Sequence, residues 1–249
     1  CGNEIACLNW SSDTTTQINI SDQKSVVEDG IQWIINPYDE FAIEEAIKLT
    51  EQHGGEVTII ALGPARVEKT IREALAMGAH KAIRINTEAI PDDPGVTATA
   101  LATVLKEGSY DLIFTGRQAI DDDHAQVPSR IAQQLDLPCA SVIVSLELDG
   151  NNATALREVE GGHERLSFSL PAVIGANRHL NEPRYRSMRG IMQAKRIPIE
   201  VVEATLPEAQ LVVENLSYPQ EKGERKLFNE GAADAAAVVQ LLRDEAQVI

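Results

Sequence analysis

The stretch DLIFTGRQAIDDDHAQVP, residues 111–128, decides the fold of this chain. Its apolar first part predicts a strand at residues 110–115, and the pattern after the loop predicts a helix at residues 124–135. Pro128 fits a helix start, because proline is tolerated in the first turn, where backbone N–H groups lack an intrahelical acceptor. A strand, a loop and a helix in this order form one unit of an α/β protein.

Similar strand and helix patterns precede this stretch. Strands are predicted at residues 5–10, 57–62 and 80–85, and helices at residues 37–53, 66–77 and 94–107. Between the first strand and the first helix, residues 16–20 and 24–35 predict a hairpin excursion with its turn at residues 28–30. This alternation predicts a doubly wound, mostly parallel sheet with helices on both faces.

The pattern changes after Pro138. Strands are predicted at residues 140–148, 153–159, 164–169 and 172–176, so we expect added β-hairpins that extend or cover the same sheet. Residues 203–230 predict an extended arm, and residues 232–244 predict a short helix. We therefore divide the chain into an α/β domain, 1–202, and a C-terminal arm and helix, 203–249. Because so short a helix is marginal alone, it docks either on its own domain or on a partner subunit.

Composition narrows the class of protein. Lysine and arginine number 22 against 38 acidic residues, a net charge of −16, which argues against binding a nucleic-acid backbone. No apolar run is long enough to span a membrane and the first residues lack the zones of a signal peptide, so we expect a soluble, intracellular protein. Cys1, Cys7 and Cys139 are too scattered for a disulfide framework or a zinc site. Cys1 is either a lipidated terminus or the result of trimming.

The loop after the strand at 110–115 is the first candidate site, since open α/β sheets bind ligands at the carboxyl ends of their strands. Free N–H groups near residues 124–127, helped by the helix dipole, suit a phosphate. Because the carboxylates of Asp121, Asp122 and Asp123 would repel a phosphate, we expect them to cap the helix, bind the loop backbone or face water. The alternatives are an ordinary acidic helix start and, less consistently, a metal loop, which lacks the glycine and glutamate of a calcium site.

Two further segments are candidates. The turn Asn36-Pro37-Tyr38-Asp39 can reach the same crevice, or it is a plain helix cap. Residues 180–196 are basic in an acidic protein and contain Met188 and Met192, which suits a surface for varied partners or a solvated loop leading to an amphipathic helix.

Motifs of common enzymes are absent from the sequence. It contains no glycine-rich dinucleotide fingerprint, Walker loop or nucleophile elbow, and its five histidines show no paired ligand spacing. This favours a carrier over an enzyme. A stand-alone ATP-binding or hydrolase domain of similar fold is the alternative from a different class.

Several short motifs, taken in order, resemble the electron-transfer flavoprotein beta-subunit family over roughly residues 5–202. They are residues 35–39 (INPYD), 63–65 (GPA), 74–79 (ALAMGA), 116–123 (GRQAIDDD), 157–162 (REVEGG), 180–185 (LNEPRY) and 190–192 (GIM). The resemblance implies a fold like that of the adenine-nucleotide alpha hydrolases. It also implies a heterodimer in which a larger alpha subunit holds the redox-active FAD.

The same resemblance implies the function. The complex carries electrons from dehydrogenases, such as acyl-CoA dehydrogenases, to a quinone-reducing or other acceptor, without substrate turnover of its own. The expected compartment is the cytoplasm in a bacterium or the mitochondrial matrix in a eukaryote. The C-terminal arm would lie along the alpha subunit.

Site residues are also implied by the resemblance. A structural AMP would be held at Cys7, Asn36, Pro37, Tyr38, Asp39, Leu62, Gly116, Arg117, Gln118, Ala119, Ile120, Asp121, Asp122, Asp123, His124, Ala125, Gln126 and Val127. Asp13 and Thr14 would lie near the flavin. A loop that recognises partner dehydrogenases would comprise Pro183, Arg184, Tyr185, Met188, Ile191 and Met192.

The sequence is mixed between two branches of the family. One branch binds a second FAD in place of AMP and splits electron pairs between high- and low-potential acceptors. Residues 13–14, 125–127 and 189–192 are similar to that branch, whereas residues 121–123 and 160–162 are similar to the AMP-binding carriers. The family's first strand usually leads to a lysine-containing segment ending in Pro-Asp, whereas residues 9–14 read NWSSDT here.

Overall fold

A mostly parallel β-sheet forms the centre of the protein. The computed structural model describes residues 3–7, 10–203, 205–220 and 226–249. The strands are β1 (Asn3–Cys7), β2 (Trp10–Ser12), β3 (Ile20–Ser21), β4 (Ser25–Val26), β5 (Trp33–Ile35), β6 (Glu56–Gly63), β7 (Lys81–Asn86), β8 (Leu112–Gly116), β9 (Cys139–Asp149), β10 (Asn152–Val159), β11 (Gly162–Ser169), β12 (Ala172–Ala176) and β13 (Ile199–Glu203). The helices are α1 (Pro37–His53), α2 (Glu68–Met77), α3 (Pro94–Leu105), α4 (Val127–Leu135), α5 (Met188–Ala194) and α6 (Ala235–Asp244).

The order of the strands locates a crevice. In the described part of the chain, nine strands form one sheet in the order β11-β10-β9-β12-β8-β1-β6-β7-β13. The strands from β9 to β13 along this order are parallel, and β10 and β11 add an antiparallel hairpin. The chain builds outward from β1 through β6 and β7, then crosses to β8 on the other side of β1. The strand order therefore reverses between β1 and β8, and ligands bind at such a point in open α/β sheets.

Helices cover both faces of the sheet, as predicted. Neighbouring residues of β6 point to opposite faces, so that Ile59 belongs to one buried cluster and Ile60 to the other. The first cluster includes α1 and α2 side chains such as Ile43 and Ile71, and the second includes Ile131 of α4. Each fully buried isoleucine contributes roughly 1.5–3 kcal/mol. The prediction of an α/β protein with a mostly parallel sheet is confirmed, and so is the extension of that sheet by hairpins.

The N-terminal excursion differs from the prediction. Strand β1 ends at Cys7, and a separate short strand, β2, pairs antiparallel with β5; residues 8 and 9 lie outside the described residues. The hairpin joins β3 to β4, with Asp22 and Gln23 at positive φ in its turn. Residues 28–30 do form a turn, in which the N–H of Ile31 donates to the carbonyl of Glu28, but it does not join paired strands. A hairpin excursion is thus present, but its turn lies at Asp22 and Gln23 instead of residues 28–30, and residues 24–35 contain two short strands, β4 and β5, with different partners.

Several element boundaries also differ. Strand β13, which pairs with β7 at the sheet edge, was missed because its residues are half-exposed or exposed and include two glutamates. Helix α4 begins at Val127, three residues later than predicted. Helix α3 ends at Leu105, two residues earlier than predicted. The predicted start of α2 at residue 66 instead belongs to a turn of 3-10 helix at Ala65–Val67. Helix α6 buries none of its described residues within this chain, so docking on its own domain is not observed.

Candidate functional site

A cleft of about 860 Å³ opens at the carboxyl ends of β1 and β8, where the strand order reverses. Its wall brings together many of the predicted site residues: Asp13, Thr14, Asp39, Leu62, Gly116, Arg117, Gln118, Ala119, Ile120, Asp121, Asp122, His124, Ala125, Gln126 and Val127. Asn36, Pro37, Tyr38 and Asp123 lie beside this wall rather than on it. Cys7 is the last residue of β1 and is in register with Ile60 of β6.

Asn36 and Asp39 fix the backbone of the loop between β8 and α4. The Nδ2 of Asn36 donates to the carbonyl of Gln118 at 2.9 Å, and its Oδ1 accepts from the N–H of Ile120 at 3.2 Å. Asp39 accepts from the N–H of Gly116 at 2.9 Å and from the side chain of Asn36. Both residues are buried, so these bonds are shielded from water. Of the two alternatives for this turn, a side-chain cap is not observed: Asn36 stands at the N-cap position and its carbonyl accepts from the helix, while its side chain binds the loop.

Gly116 allows this close approach. A Cβ at this position would lie 2.8 Å from the Oδ2 of Asp39 and 2.8 Å from the Cβ of Tyr38. These separations are shorter than van der Waals contact, and both neighbours are held by α1. The glycine therefore permits the turn after β8 to rest against the first turn of α1.

The three aspartates of the loop are held in different ways. Asp122 accepts from the N–H of His124 at 2.9 Å, and Asp123 accepts from the side chain of Gln118. Partial desolvation in the cleft raises the pKa of the Asp121 carboxyl, and the charges of Asp122 and Asp123 raise it further. The expectation that aspartates bind the loop backbone is thus confirmed for Asp122. None of them caps α4, whose N-terminus receives no side-chain hydrogen bond.

The start of α4 presents unused donors to the cleft. Within the described residues, the N–H groups of Ala125, Gln126 and Val127 have no protein acceptor, and all three residues line the cleft. The N–H of His124 is not free, because it donates a hydrogen bond to the carboxylate of Asp122. Ala125 has a φ of +54°, a conformation that costs a non-glycine residue roughly 1 kcal/mol or more. Adjacent free N–H groups at a helix start suit an anion such as phosphate.

Cationic side chains on the cleft wall complement these donors. Lys24 and Arg117 line the cleft together with its carboxylates. The guanidinium of Arg117 stacks 5.4 Å from the centre of the Tyr38 ring, and its Nε donates to the Oε1 of Gln118 at 2.9 Å. Tyr38 therefore supports Arg117 from behind and does not itself face the cleft.

Residues of the N-terminal excursion between Thr16 and Trp33 line the cleft without having been predicted to do so, and two further walls were also missed in the sequence. One is the loop after β7, which contributes Ala89, Ile90, Pro91 and Asp92. It follows the carboxyl end of a parallel strand, so the rule that located the β8 loop could also have located this one. The other is the arm, through Leu211, Val213 and Leu216. A short apolar run at residues 211–213 was its only signal in the sequence.

The predicted recognition segment has an anchored side and an exposed side. Arg184 pairs with Glu44 at 2.8 Å and with Glu51 at 2.7 Å, both on α1, and these contacts raise the pKa of its guanidinium. Arg186 pairs with Glu73 of α2 at 2.7 Å. The exposed side is apolar and consists of Tyr185 (100% exposed), Met188 (78%), Met192 (55%) and Ile191 (37%). Pro183 is half-buried. Arg184 and Arg186 thus hold the segment against α1 and α2, and its apolar side chains remain accessible.

Helix α5 lies tightly on the end of α2. Ser187 caps it by accepting from the N–H of Gly190 at 3.0 Å. A Cβ on Gly190 would lie only 2.4 Å from the carbonyl oxygen of Ala76, so a glycine is required at this contact. Arg72 of α2 donates to the carbonyls of Ala194 and Ile197 just beyond. These contacts fix the position from which Met188 and Met192 project.

Two other classes of site are not found among the described residues. No helix there combines the length and apolar character needed to cross a membrane. No group of three or more histidine, cysteine, aspartate or glutamate side chains there is arranged to hold a metal ion.

Comparison with known proteins gives a consistent family. Three relatives are each named electron transfer flavoprotein subunit beta. The one from Bacillus subtilis is 42% identical over 99% of this chain and 100% of its own length. The one from Clostridium acetobutylicum is 32% identical over 98% of both chains, and the one from Mus musculus is 40% identical over 77% of both. The model of the electron transfer flavoprotein domain matches residues 23–207, and with these similarities it shows that the chain belongs to the electron transfer flavoprotein family.

Proposed function

We propose that this chain is the beta subunit of an electron transfer flavoprotein. It pairs with an alpha subunit that holds the redox-active FAD, and the complex carries electrons from dehydrogenases, such as acyl-CoA dehydrogenases, to a quinone-reducing or other acceptor. The observation that carries the proposal is the similarity to the Bacillus subtilis beta subunit over essentially the whole of both chains. The chain acts as a carrier and not as an enzyme, in the cytoplasm of a bacterium or the mitochondrial matrix of a eukaryote.

The cleft at the β8 loop is the proposed site of a structural AMP, in a fold like that of the adenine-nucleotide alpha hydrolases. Three features support it. The free N–H groups of Ala125, Gln126 and Val127 fit a phosphate, and Arg117 offers a cation on the same wall. The apolar side chains of Leu62 and Leu101 also line the cleft and suit the face of a base. Asp122 and Asp123 are engaged within the loop, and the raised pKa of Asp121 weakens the tendency of its carboxyl to hold a negative charge beside a phosphate.

Two surfaces fit the proposed partners. The exposed apolar group of Tyr185, Met188, Ile191 and Met192 is the proposed contact for partner dehydrogenases, with Arg184 holding it in place. Helix α6 buries none of its residues within this chain and is the proposed contact for the alpha subunit. Asp13 and Thr14, at the far end of the cleft, are the proposed neighbours of the flavin.

A second FAD in the same cleft is the alternative nucleotide, as in carriers that split electron pairs. The size of the cleft favours it: about 860 Å³ is near the top of the range of roughly 300–1,000 Å³ for small-molecule sites. The cleft also extends from the β8 loop to Asp13 and Thr14.

Nucleotide content of the purified heterodimer tests both versions. The complex is denatured, and the released nucleotides are separated and counted by mass spectrometry. One AMP and one FAD per heterodimer are expected. Two FAD and no AMP would replace the AMP carrier with the electron-splitting type, and a monomer that hydrolyses ATP would contradict the whole proposal.

A further inference from the structure

The arm after β13 folds back over the candidate nucleotide cleft. Leu211, Val213 and Leu216 line this cleft, and Leu211 and Val213 also line a neighbouring cavity of about 790 Å³. The arm therefore forms a wall between two spaces. Its far end is held by the N-terminal excursion: the N–H of Leu216 donates to the carbonyl of Gln23 at 2.6 Å, and the hydroxyl of Tyr218 accepts from the N–H of Ile20 at 2.9 Å.

The near end of the arm is held by one carboxylate. The Oδ1 of Asp93 caps α3 by accepting from the N–H of Gly95 at 2.7 Å. Its Oδ2 accepts from the arm, from the N–H of Gln210 at 2.8 Å and from that of Leu211 at 3.1 Å. Asp93 is only 7% exposed, and it does not itself line the nucleotide cleft. One side chain thus joins the first turn of α3 to the segment that walls the cleft.

The charge of the Asp93 carboxylate makes this contact suited to holding the arm in place. Hydrogen bonds from the N–H groups of Gln210 and Gly95 keep the pKa of Asp93 below its ordinary value, with a smaller contribution from the nearby charge of Arg130. Asp93 is therefore charged at neutral pH, and charge-assisted hydrogen bonds are stronger than neutral ones. Asp93 lies directly beside the cleft wall, because its chain neighbours Asp92 and Pro94 both line the cleft.

We propose that residues 211–216 form a wall of the nucleotide site and that Asp93 is the residue that positions them. This inference rests on the proposed function, because it assigns the retention of the nucleotide partly to the arm. It also links the nucleotide site to the C-terminal helix, because the same arm leads to α6.

Exchange of the bound nucleotide tests whether Asp93 holds the arm over the nucleotide site. Purified heterodimer is loaded with radiolabelled AMP, or with FAD if extraction yields two FAD, and release into excess unlabelled nucleotide is followed. Asp93→Asn offers one oxygen in place of two and turns an amide group towards the remaining donors. Release about tenfold faster than from the unaltered complex is expected, as for the loss of a charge-assisted hydrogen bond. Asp149→Asn, at the exposed last residue of β9, removes the same charge far from the arm and should leave the rate unchanged.

Hydrogen exchange of the backbone provides a second readout. Protection of the amides of Gln210 and Leu211 should fall in Asp93→Asn, with little change in the core strands. If those amides lose protection while release stays unaltered, the arm is no wall of the site and the proposal fails. It also fails if their protection is unchanged, since Asp93 then does not hold the arm.

Tyr218→Phe tests the other end of the same wall without touching the cap of α3. It removes one neutral hydrogen bond, to the N–H of Ile20, so release about threefold faster is expected. Unaltered release in Tyr218→Phe would overturn the proposal even if Asp93→Asn cannot be purified. A heterodimer that contains no nucleotide besides the FAD of the alpha subunit would instead contradict the proposed function.

Discussion

Single residues shape the candidate site mainly from behind its wall. Asn36 and Asp39 were expected to hold the nucleotide, yet their polar atoms bind the β8 loop at Gly116, Gln118 and Ile120. This role could not be predicted from the sequence, because these contacts join residues about eighty positions apart. The sequence identified the correct turn, and the structure shows that the turn supports the loop.

Asn36→Ala tests this support. The substitution leaves the carbonyl of Gln118 and the N–H of Ile120 without a protein partner in a partly buried place, at a cost of roughly 1–3 kcal/mol. The free energy of unfolding, measured with urea, should fall by that amount. Asn152→Ala, at an exposed position of β10, is the matched control and should change it little. Equal urea midpoints for the two variants would show that the loop does not depend on Asn36.

Asp121→Asn tests the electrostatics of the loop. The folded-state pKa of Asp121 lies above its unfolded value, so keeping this carboxylate charged costs stability at neutral pH. As the pH falls through the folded pKa and below the unfolded one, that cost disappears. Asp121→Asn should therefore unfold at higher urea than the unaltered protein at pH 7, and the difference should shrink towards pH 4 and below. A difference that grows on acidification would have the wrong sign, and Asp149→Asn gives the background effect of removing a carboxylate.

At the scale of helices and strands, periodicity was informative where an element is buried on one side. Helix α1 was predicted with its observed bounds, since Pro37 starts it and Gly54 follows it. Strand β13 was missed because a short edge strand whose residues are only half-buried or exposed carries little pattern. The start of α4 was placed three residues early, because Asp123 and Ala125 adopt positive φ and keep residues 124–126 out of the helix.

Gly190→Ala tests the packing of α5 on α2. Alanine favours a helix by roughly 1 kcal/mol over glycine, so propensity alone predicts a stabilised protein. The added Cβ would meet the carbonyl of Ala76 at 2.4 Å, and we expect a net loss of about 1–3 kcal/mol in the free energy of unfolding. Gly162→Ala is the control, because a Cβ there meets nothing within 4 Å. A stabilised Gly190→Ala would mean that α5 moves away from α2 at no cost.

At the scale of the whole molecule, the α/β class and the mostly parallel sheet were predicted from the alternation of strand and helix patterns, and the crevice was predicted from the carboxyl end of the strand before Gly116. The path of the arm was not predicted, because residues 205–218 contact the chain through backbone N–H groups, the hydroxyl of Tyr218 and a few apolar side chains. Such contacts do not produce a periodic hydrophobic pattern in the sequence. The proposed partner surface was indicated in the sequence by a basic segment with two methionines, but the anchoring of that segment by Arg184 and Arg186 was not predicted.

Met188→Glu tests the proposed dehydrogenase surface. Met188 is 78% exposed, so a glutamate is tolerated by the fold but places a charge in an apolar contact. The rate at which the dehydrogenase reduces the heterodimer, monitored by flavin absorbance, should fall about tenfold or more, as for a disrupted central contact. Flavin and AMP content should be unchanged. Val201→Glu, on the exposed edge strand β13, is the control; a comparable loss there would show a general effect of charge.

The position of β1 between β8 and β6 constrains how the chain is assembled during synthesis. Its partner β6 is made about fifty residues later and β8 about a hundred residues later. At roughly 5–20 residues per second, the first strand waits about 5–20 seconds on the ribosome before its second neighbour exists. During that time one edge of a central strand is unpaired, and an open edge of this kind pairs readily with other chains. The nascent N-terminal half is therefore the part of this protein with the greatest need of a chaperone.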